Sequence, residues 1–321
     1  MIRLLTESRE IVKKTRVLTV GSINMDILMY GVPKLAGFGE TISYSNYSLK
    51  PGGKGENQAI ALAKLGMDSH LVSTIGDDEY GKIILDNLKH HGVDTTHVLV
   101  NPKVKTGLAS IAIEEGTARY ACYVAQGGND HITGEQVEKA LDNQDFDMIL
   151  MQLEMPLETV YRTYELALER GIPVFLDAGP AMKISLEPLR GIFMISPNEA
   201  ETFALTGIDP STVENAQKAI RKLYAEVEPQ YVILKLGERG AMLSDGETVE
   251  MIPCSQVEAV DTTGAGDVFN AAFVVSYCSG NGVKDSTKFA HGAAGLSVMK
   301  EGAADSVPTL EEVYQFLKGK N

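Results

Sequence analysis

The residues whose types and spacing best suggest chemistry lie in Val260–Asn270, reading V-D-T-T-G-A-G-D-V-F-N. Gly264 and Gly266 bracket Ala265, so their backbone N–H groups can approach an anion without side-chain obstruction. Val268–Ser276 reads as a buried helix of small and apolar residues, which places the glycines at a helix N-terminus. Orphan donors and the macrodipole both favour negative charge there. Asp267 closes this nest with a carboxylate. An acid set against an anion site is out of place in simple phosphate binding. It fits if the acid takes a proton from a hydroxyl while the amides hold the phosphoryl group under attack. The plain alternative is a glycine turn with Asp267 as a first-turn acid complementing the dipole. A dinucleotide fingerprint G-x-G-x-x-G is excluded, because Phe269 occupies its last position. Gln256–Val260 is expected to be the strand that leads into the turn.

Earlier segments must supply the acceptor site. Arg16–Val20 is a β-rich run ending in Gly21-Ser-Ile-Asn24-Met25-Asp26. Polar residues at the C-terminal end of a buried strand are where open α/β sheets bind ligands. An Asx turn, with Asn24 and Asp26 capping their own backbone, is the competing reading. Pro51-Gly-Gly53-Lys54-Gly55-Glu56-Asn57-Gln58-Ala59 then opens a helical pattern through Leu65. One cation and two amides at a helix start suit a polyhydroxylated ligand, which needs many directional hydrogen bonds. A capped helix with an exposed lysine explains those residues equally well. Gly76–Ile83 nearly matches a P-loop, but Ile83 lacks the required hydroxyl and three acids would crowd a phosphate.

Two pairs of short alternating segments, Ile27–Tyr30 with Thr41–Leu49 and Thr106–Glu114 with Arg119–Val124, suggest a small separate sheet. Its strands fall at about residues 27–49 and 106–124, and hinged over a site it would act as a lid that excludes water. From Phe146 onward apolar runs alternate with helical segments: Met148–Met151, Leu157–Arg170, Pro173–Leu176, Ile192–Ser196, Asn215–Val227 and Tyr231–Leu236. That is the pattern of an α/β fold with a doubly wound, mostly parallel sheet flanked by helices. Glu154, Asp177 and Asn198-Glu-Ala-Glu201 stand at strand ends. Asn198 and Glu201 share a helix face; Glu201 could meet a hydrated Mg²⁺, or the pair could form a capping box. Gly237-Glu-Arg-Gly240 is a tight turn suited either to a nucleotide or to a plain hairpin.

Bulk properties agree with a 321-residue globular chain. Its net charge of −14 argues against nucleic acid as a partner. No apolar run reaches membrane length. Cys122, Cys254 and Cys278 are scattered without metal spacing, so a reducing cytoplasm is the expected location. Residues 1–15 are expected to be an N-terminal extension, a short helix or tail before a single domain over 16–321.

Taken together, G-S-I-N-M-D, P-G-G-K-G-E-N-Q-A, M-Q-L-E, S-P-N-E-A-E and D-T-T-G-A-G-D, in that order, resemble the ribokinase (PfkB) family of carbohydrate and nucleoside kinases. The likeness runs from about Arg16 to Leu317. It implies an ATP-dependent enzyme that phosphorylates the primary hydroxyl of D-ribose. It further implies a small sheet serving as lid and as homodimer interface. Carried onto this chain, Asn24, Met25, Asp26, Gly53, Lys54, Gly55, Asn57 and Glu154 would surround the sugar. Asp267 would be the base, beside an anion hole of Gly264, Ala265 and Gly266. Asn198 and Glu201 would place Mg²⁺ and the ATP phosphates. Lys235, Gly237, Gly240, Gly266 and His291 would line the nucleotide pocket. A K⁺ would sit among Asp261, Thr263, Ser297, Lys300, Gly302 and Ser306, largely on backbone carbonyls. Lys235 stands where members often have Thr, Glu56 replaces a small residue, and Gln126-Gly-Gly-Asn-Asp130 departs from the family's lid form.

Overall fold

A computed structural model of the chain describes residues 14–117 and 119–319. The expected extension, residues 1–15, falls almost wholly outside them. In chain order the elements are β1 (Arg16–Val20), β2 (Asn24–Val32), β3 (Asn46–Gly52), α1 (Lys54–Lys64), β4 (Asp68–Gly76), α2 (Glu79–His90) and β5 (Val98–Asn101). They continue with β6 (Gly107–Glu114), β7 (Tyr120–Ala125), α3 (Gly134–Asn143), β8 (Met148–Met151), α4 (Leu157–Arg170), β9 (Val174–Asp177) and β10 (Met194–Ser196). The rest are α5 (Glu199–Thr206), α6 (Val213–Val227), β11 (Tyr231–Lys235), β12 (Ala241–Ser244), β13 (Val249–Ile252), α7 (Ala265–Cys278), α8 (Val283–Ser297) and α9 (Leu310–Lys318).

Among the described residues nine strands form one sheet in the order β13-β12-β11-β10-β9-β8-β1-β4-β5. All neighbours run parallel except β11-β12 and β12-β13. The central strands are apolar on both faces because both faces are covered. On one side Leu18, Val20, Ile149, Met151, Val174 and Leu176 pack with residues of α3, α4 and α6. On the other, Val17, Met148, Leu150, Phe175 and Ile233 pack with α1, α7, α8 and α9. Alternation along β1 is the two-residue period of a strand deciding which core each side chain joins. The same direction of β1, β8, β9, β10 and β11 sends all their C-terminal ends to one edge, where loops gather polar groups.

The small sheet is present, in the order β3-β2-β6-β7. β2 pairs antiparallel with β3 and parallel with β6, joining the two expected strand pairs into one sheet. Its bounds differ from expectation, because Thr41–Ser45 lies outside β3 and β2 begins at Asn24. One expected strand is absent. Gln256–Val260 is irregular, and β13 ends at Ile252. Among the described residues no strand pairs with that stretch in a ladder; Val260 N–H bonds instead to the Val298 carbonyl (2.7 Å).

Candidate active site

Asp267 lies in the first turn of α7, and Gly264 is the residue before that helix, with φ +74°. A Cβ at Gly264 would sit 2.8 Å from the Ala303 methyl, so both the left-handed backbone and the close loop demand glycine. The Ala265 N–H bonds to the Thr262 carbonyl at 3.2 Å, so it is not a free donor as the sequence suggested. First-turn N–H groups at Gly266 and Asp267 have no carbonyl inside the helix to bind, which leaves them for an anion.

Helix α1 supplies the partners of Asp267. Asn57 Nδ2 donates to Asp267 Oδ2 (3.0 Å) and Gln58 Nε2 to Oδ1 (3.0 Å), with Lys54 Nζ 3.5 Å from Oδ1. The carboxylate is buried and held on both oxygens by neutral amides. This arrangement leaves it able to accept a proton from a hydroxyl on its open side. Gln152 Nε2 donates to Gln58 Oε1 (2.6 Å), which fixes the amide so that its NH₂ faces the acid. Helix α1 can sit this close to the end of β1 because Gly55 has no side chain: a Cβ there would lie 2.5 Å from the Gly21 carbonyl carbon.

On the small-sheet side, Asn24 and Asp26 are in β2 and not in an Asx turn. Asn129 Nδ2 donates to Asn24 Oδ1 (2.8 Å), while Asn129 Oδ1 accepts the Ile23 N–H (2.9 Å). Met25, between Asn24 and Asp26, is buried in the core and cannot face a ligand. This corrects its placement among the ligand-facing residues: strand alternation sends it to the opposite side from its neighbours. Burial, and then the charges of Glu154 and Asp267, raise the Asp26 carboxyl from 3.8 to about 7. Glu154 accepts from the Ser22 hydroxyl and from the Lys54 N–H (3.3 Å). Glu56 points away from this group. It is buried, accepts from Asn87 Nδ2 (2.8 Å), and is pushed well above the usual carboxylate range by burial.

A cleft of about 450 Å³ adjoins the first turn of α7, lined by Lys235, Gly237, Gly240, Ala265, Gly266 and His291 among others. Its walls are mostly apolar, with Phe269 packed edge-on to His291 at a centroid distance of 5.1 Å. Burial lowers the His291 imidazole to about 4, so it is neutral at pH 7. The irregular stretch through Gln256 and Val257 forms another wall, which is its role in place of the expected strand.

Asn198 and Glu201 form a complete capping box on α5. Glu201 Oε2 accepts the Asn198 N–H (2.7 Å) and Oε1 the Asn198 amide (2.9 Å). Each oxygen keeps a further lone pair, so this carboxylate fits a hydrated Mg²⁺ carried by a nucleotide. Asp261 accepts from the Thr263 and Gly302 N–H groups, both at 2.9 Å. Burial pushes its carboxyl up, but those bonds outweigh that and hold it below the usual range. Ser297 O accepts from the Lys300 N–H (3.1 Å), and Ser306 Oγ donates to Ala303 O (2.9 Å). Lys300 Nζ turns away to Glu312 (3.3 Å). A carboxylate and backbone carbonyl oxygens are the donor types a hard monovalent cation takes, and Asp261, Ser297 and Ala303 carry them in neighbouring segments. The same loop carries Ala303 against Gly264, tying it to the turn that opens α7.

Three participants were visible in the sequence, but not in the roles they take here: Gln58 and Asp177 as partners that hold site side chains, and Asn129 as the partner of Asn24. Gln58 had a signal, since it lies four residues after Lys54 on one helix face. Asp177 ends β9 at the ligand-binding edge, a position that also marks it. Asn129 had none, because its contact with Asn24 spans 105 residues.

The family profile described as "pfkB family carbohydrate kinase" matches residues 14–310. The chain belongs to the pfkB family of carbohydrate kinases. It is 36% identical over 306 residues to the ribokinase of Haemophilus influenzae, covering 94% of this chain and 99% of that one. It is also 36% identical over 299 residues to the ribokinase of Bacillus subtilis, covering 93% and 98%. A deoxyribokinase of Salmonella typhimurium is 30% identical over 300 residues, covering 93% and 97%. Among solved structures, ribokinase of Arabidopsis thaliana complexed with ribose and ATP is 31% identical, with a TM-score of 0.85, covering 95% of this chain and 99% of that one.

Proposed function

We propose that this protein is an ATP-dependent kinase that phosphorylates the primary hydroxyl of D-ribose, yielding D-ribose 5-phosphate and ADP. The observation that carries the reading is the placement of Asp267. It stands between a carboxylate- and amide-lined acceptor site and an apolar cleft that opens on the N-terminus of α7. The 36% identity to curated ribokinases over nearly the whole chain points to the same substrates.

In this reading Asn24, Asp26, Glu154, Lys54 and Asn57 bind the sugar hydroxyls, and the adenine side of ATP enters the cleft past His291. Asp267 takes the proton of the primary hydroxyl as that oxygen attacks the γ-phosphorus. The new O–P bond forms as the bond to the β,γ-bridging oxygen breaks, and ADP leaves with that electron pair. Charge developing on the transferred phosphoryl oxygens is met by the N–H groups that open α7. Mg²⁺, when bound with ATP near Glu201, neutralises phosphate charge. K⁺ in the Asp261 loop would hold the Gly264 turn in shape without touching the reacting atoms.

The small sheet would close over the sugar from the β2 side and join two copies. Tyr47 and Leu49 lie opposite Met29 and Ile27, and Tyr123 lies opposite Ser110, itself opposite Ile27. Tyr47, Leu49 and Tyr123 are exposed, and by register they share one face, an apolar surface suited to a second copy. The three cysteines are free thiols, in keeping with work in a reducing cytoplasm.

ADP release with Mg-ATP, with and without K⁺, over ribose, deoxyribose, fructose, fructose 6-phosphate and adenosine tests the reading. Turnover on ribose raised by K⁺ is expected. Turnover confined to another acceptor moves the substrate, and none on any acceptor defeats the proposal.

A further inference from the structure

We infer that Asp177 is a positioning residue that holds the Lys54 and Lys235 ammonium groups on either side of the phosphoryl path, Lys54 beside the base and Lys235 beside the nucleotide phosphates. The inference rests on the kinase reading above and extends it from Lys54 in the acceptor site to Asp177 and Lys235 outside it.

Asp177 is the last residue of β9 and is fully buried. Its Oδ1 accepts from Lys235 Nζ (3.0 Å), and its Oδ2 from Lys54 Nζ (3.0 Å) and Gln58 Nε2 (2.9 Å). Asp177 does not line the nucleotide cleft, whereas Lys235 does, together with Ala265 and Gly266. Lys235 Nζ also lies 3.5 Å from Asn270 Oδ1, one turn along α7 from Gly266. Lys54 Nζ lies 3.5 Å from Asp267 Oδ1. One carboxylate thus fixes two cations astride the first turn of α7, and whatever it does to the reaction it does through them.

The charge balance supplies the reason. Lys54 and Lys235 are matched by Asp177 and Asp267 while Asp267 is ionised. When Asp267 takes up the hydroxyl proton, the negative charge it carried passes to the attacking oxygen and the phosphoryl group in flight, beside the fixed positive charge of the two ammonium groups held by Asp177. A low-dielectric site makes that charge effective, because no solvent must reorganise to supply it. Glu201 faces the cluster from α5, Glu154 from the loop after β8, and Asp26 from β2. Burial would lower Lys54, but Asp177 first, then Asp267, Glu201 and Glu154, outweigh it and hold the ammonium well above its ordinary value. Burial pushes Asp177 up, and the two lysines more than reverse this, bringing it down to about 2.

A buried ion pair that served only the fold could be replaced by uncharged groups with little loss. Asp177→Asn, Lys235→Met and the double variant separate the two roles. The double variant removes one charge of each sign and so leaves the buried balance unchanged. Lys235→Met is expected to lower kcat about 10²–10³-fold, the typical cost of one lost transition-state donor. It should weaken ADP binding while leaving adenosine binding unchanged by calorimetry. Asp177→Asn should bring the alkaline limb of the kcat–pH profile to lower pH, because Lys54 loses its strongest partner. The double variant should melt like wild type and yet keep kcat at least ~10²-fold down, because charge balance has returned and the aimed cation has not. Should Asp177→Asn fail to fold, the double variant carries the test. A double variant with wild-type kcat overturns the inference, as does a Lys235→Met protein that binds ADP undiminished. Wild-type protein inactive on every acceptor would instead defeat the kinase reading, and the ADP-against-adenosine titration would still decide whether Lys235 serves phosphates.

Discussion

Replacing Asp26 with Asn should stabilise the sugar-free protein at alkaline pH while weakening its grip on sugar. The Asp26 carboxyl is raised from 3.8 to about 7 by burial, then by Glu154 and Asp267. Its surroundings admit no easy relief: a Cβ on Gly52 would fall 2.2 Å from Asp26 Oδ2, so the backbone of β3 is pressed against the acid. Each pKa unit corresponds to about 1.4 kcal/mol, so ionising this group in the folded state costs at most about 4 kcal/mol. The sign follows from proton uptake. Between the unfolded value and about 7, the folded state binds the proton more tightly, so wild-type stability falls as pH rises through that window and levels off above it. The cost is about 1.7 kcal/mol at pH 5 and about 4 kcal/mol at pH 8, and Asn carries neither. Thermal melts of the two proteins at pH 5 and pH 8 should therefore show an advantage for Asp26→Asn that grows by roughly 2.5 kcal/mol, about 5–10 °C at ~2–4 °C per kcal/mol. Sugar titrations on the same samples should show weaker binding by the variant, since an ionised carboxylate accepts hydroxyl bonds more strongly than an amide. A melting difference that does not change between the two pH values would refute the electrostatic argument, and unchanged sugar affinity would remove Asp26 from the sugar site.

Asp267→Asn should cut kcat by about 10²–10⁴-fold with ADP affinity retained, as measured by single-turnover kinetics and calorimetry. Near wild-type turnover would exclude Asp267 as the base. Gly264→Ala should cost about 2 kcal/mol or more by calorimetric melting, since alanine disfavours the left-handed backbone and its methyl meets Ala303. An unchanged melting temperature would mean the turn does not need the conformation described.

The amino-acid sequence alone determined what short-range chemistry can encode. Leu157–Arg170 was legible as a helix to the residue, because its apolar period, its preceding proline and its closing Gly171 are all local. The apolar runs of β8 to β11 announced a sheet covered on both faces, and the glycines at 264 and 266 announced the start of α7. The order of strands, and with it the site, came only with tertiary structure. Asp267 meets Asn57 across 210 residues and Gln58 across 209, contacts that no window of sequence contains. Gln256–Val260 has strand composition but no strand beside it, and a ladder needs a partner. Met25 sits in a ligand motif yet points into the core, because strand alternation and the packing of the small sheet decide its direction. Asp177 looked like one acid among several at strand ends. The packing of α1 and β11 on either side of β9 turned it into the shared partner of two lysines, since only the assembled sheet brings those side chains within hydrogen-bonding distance.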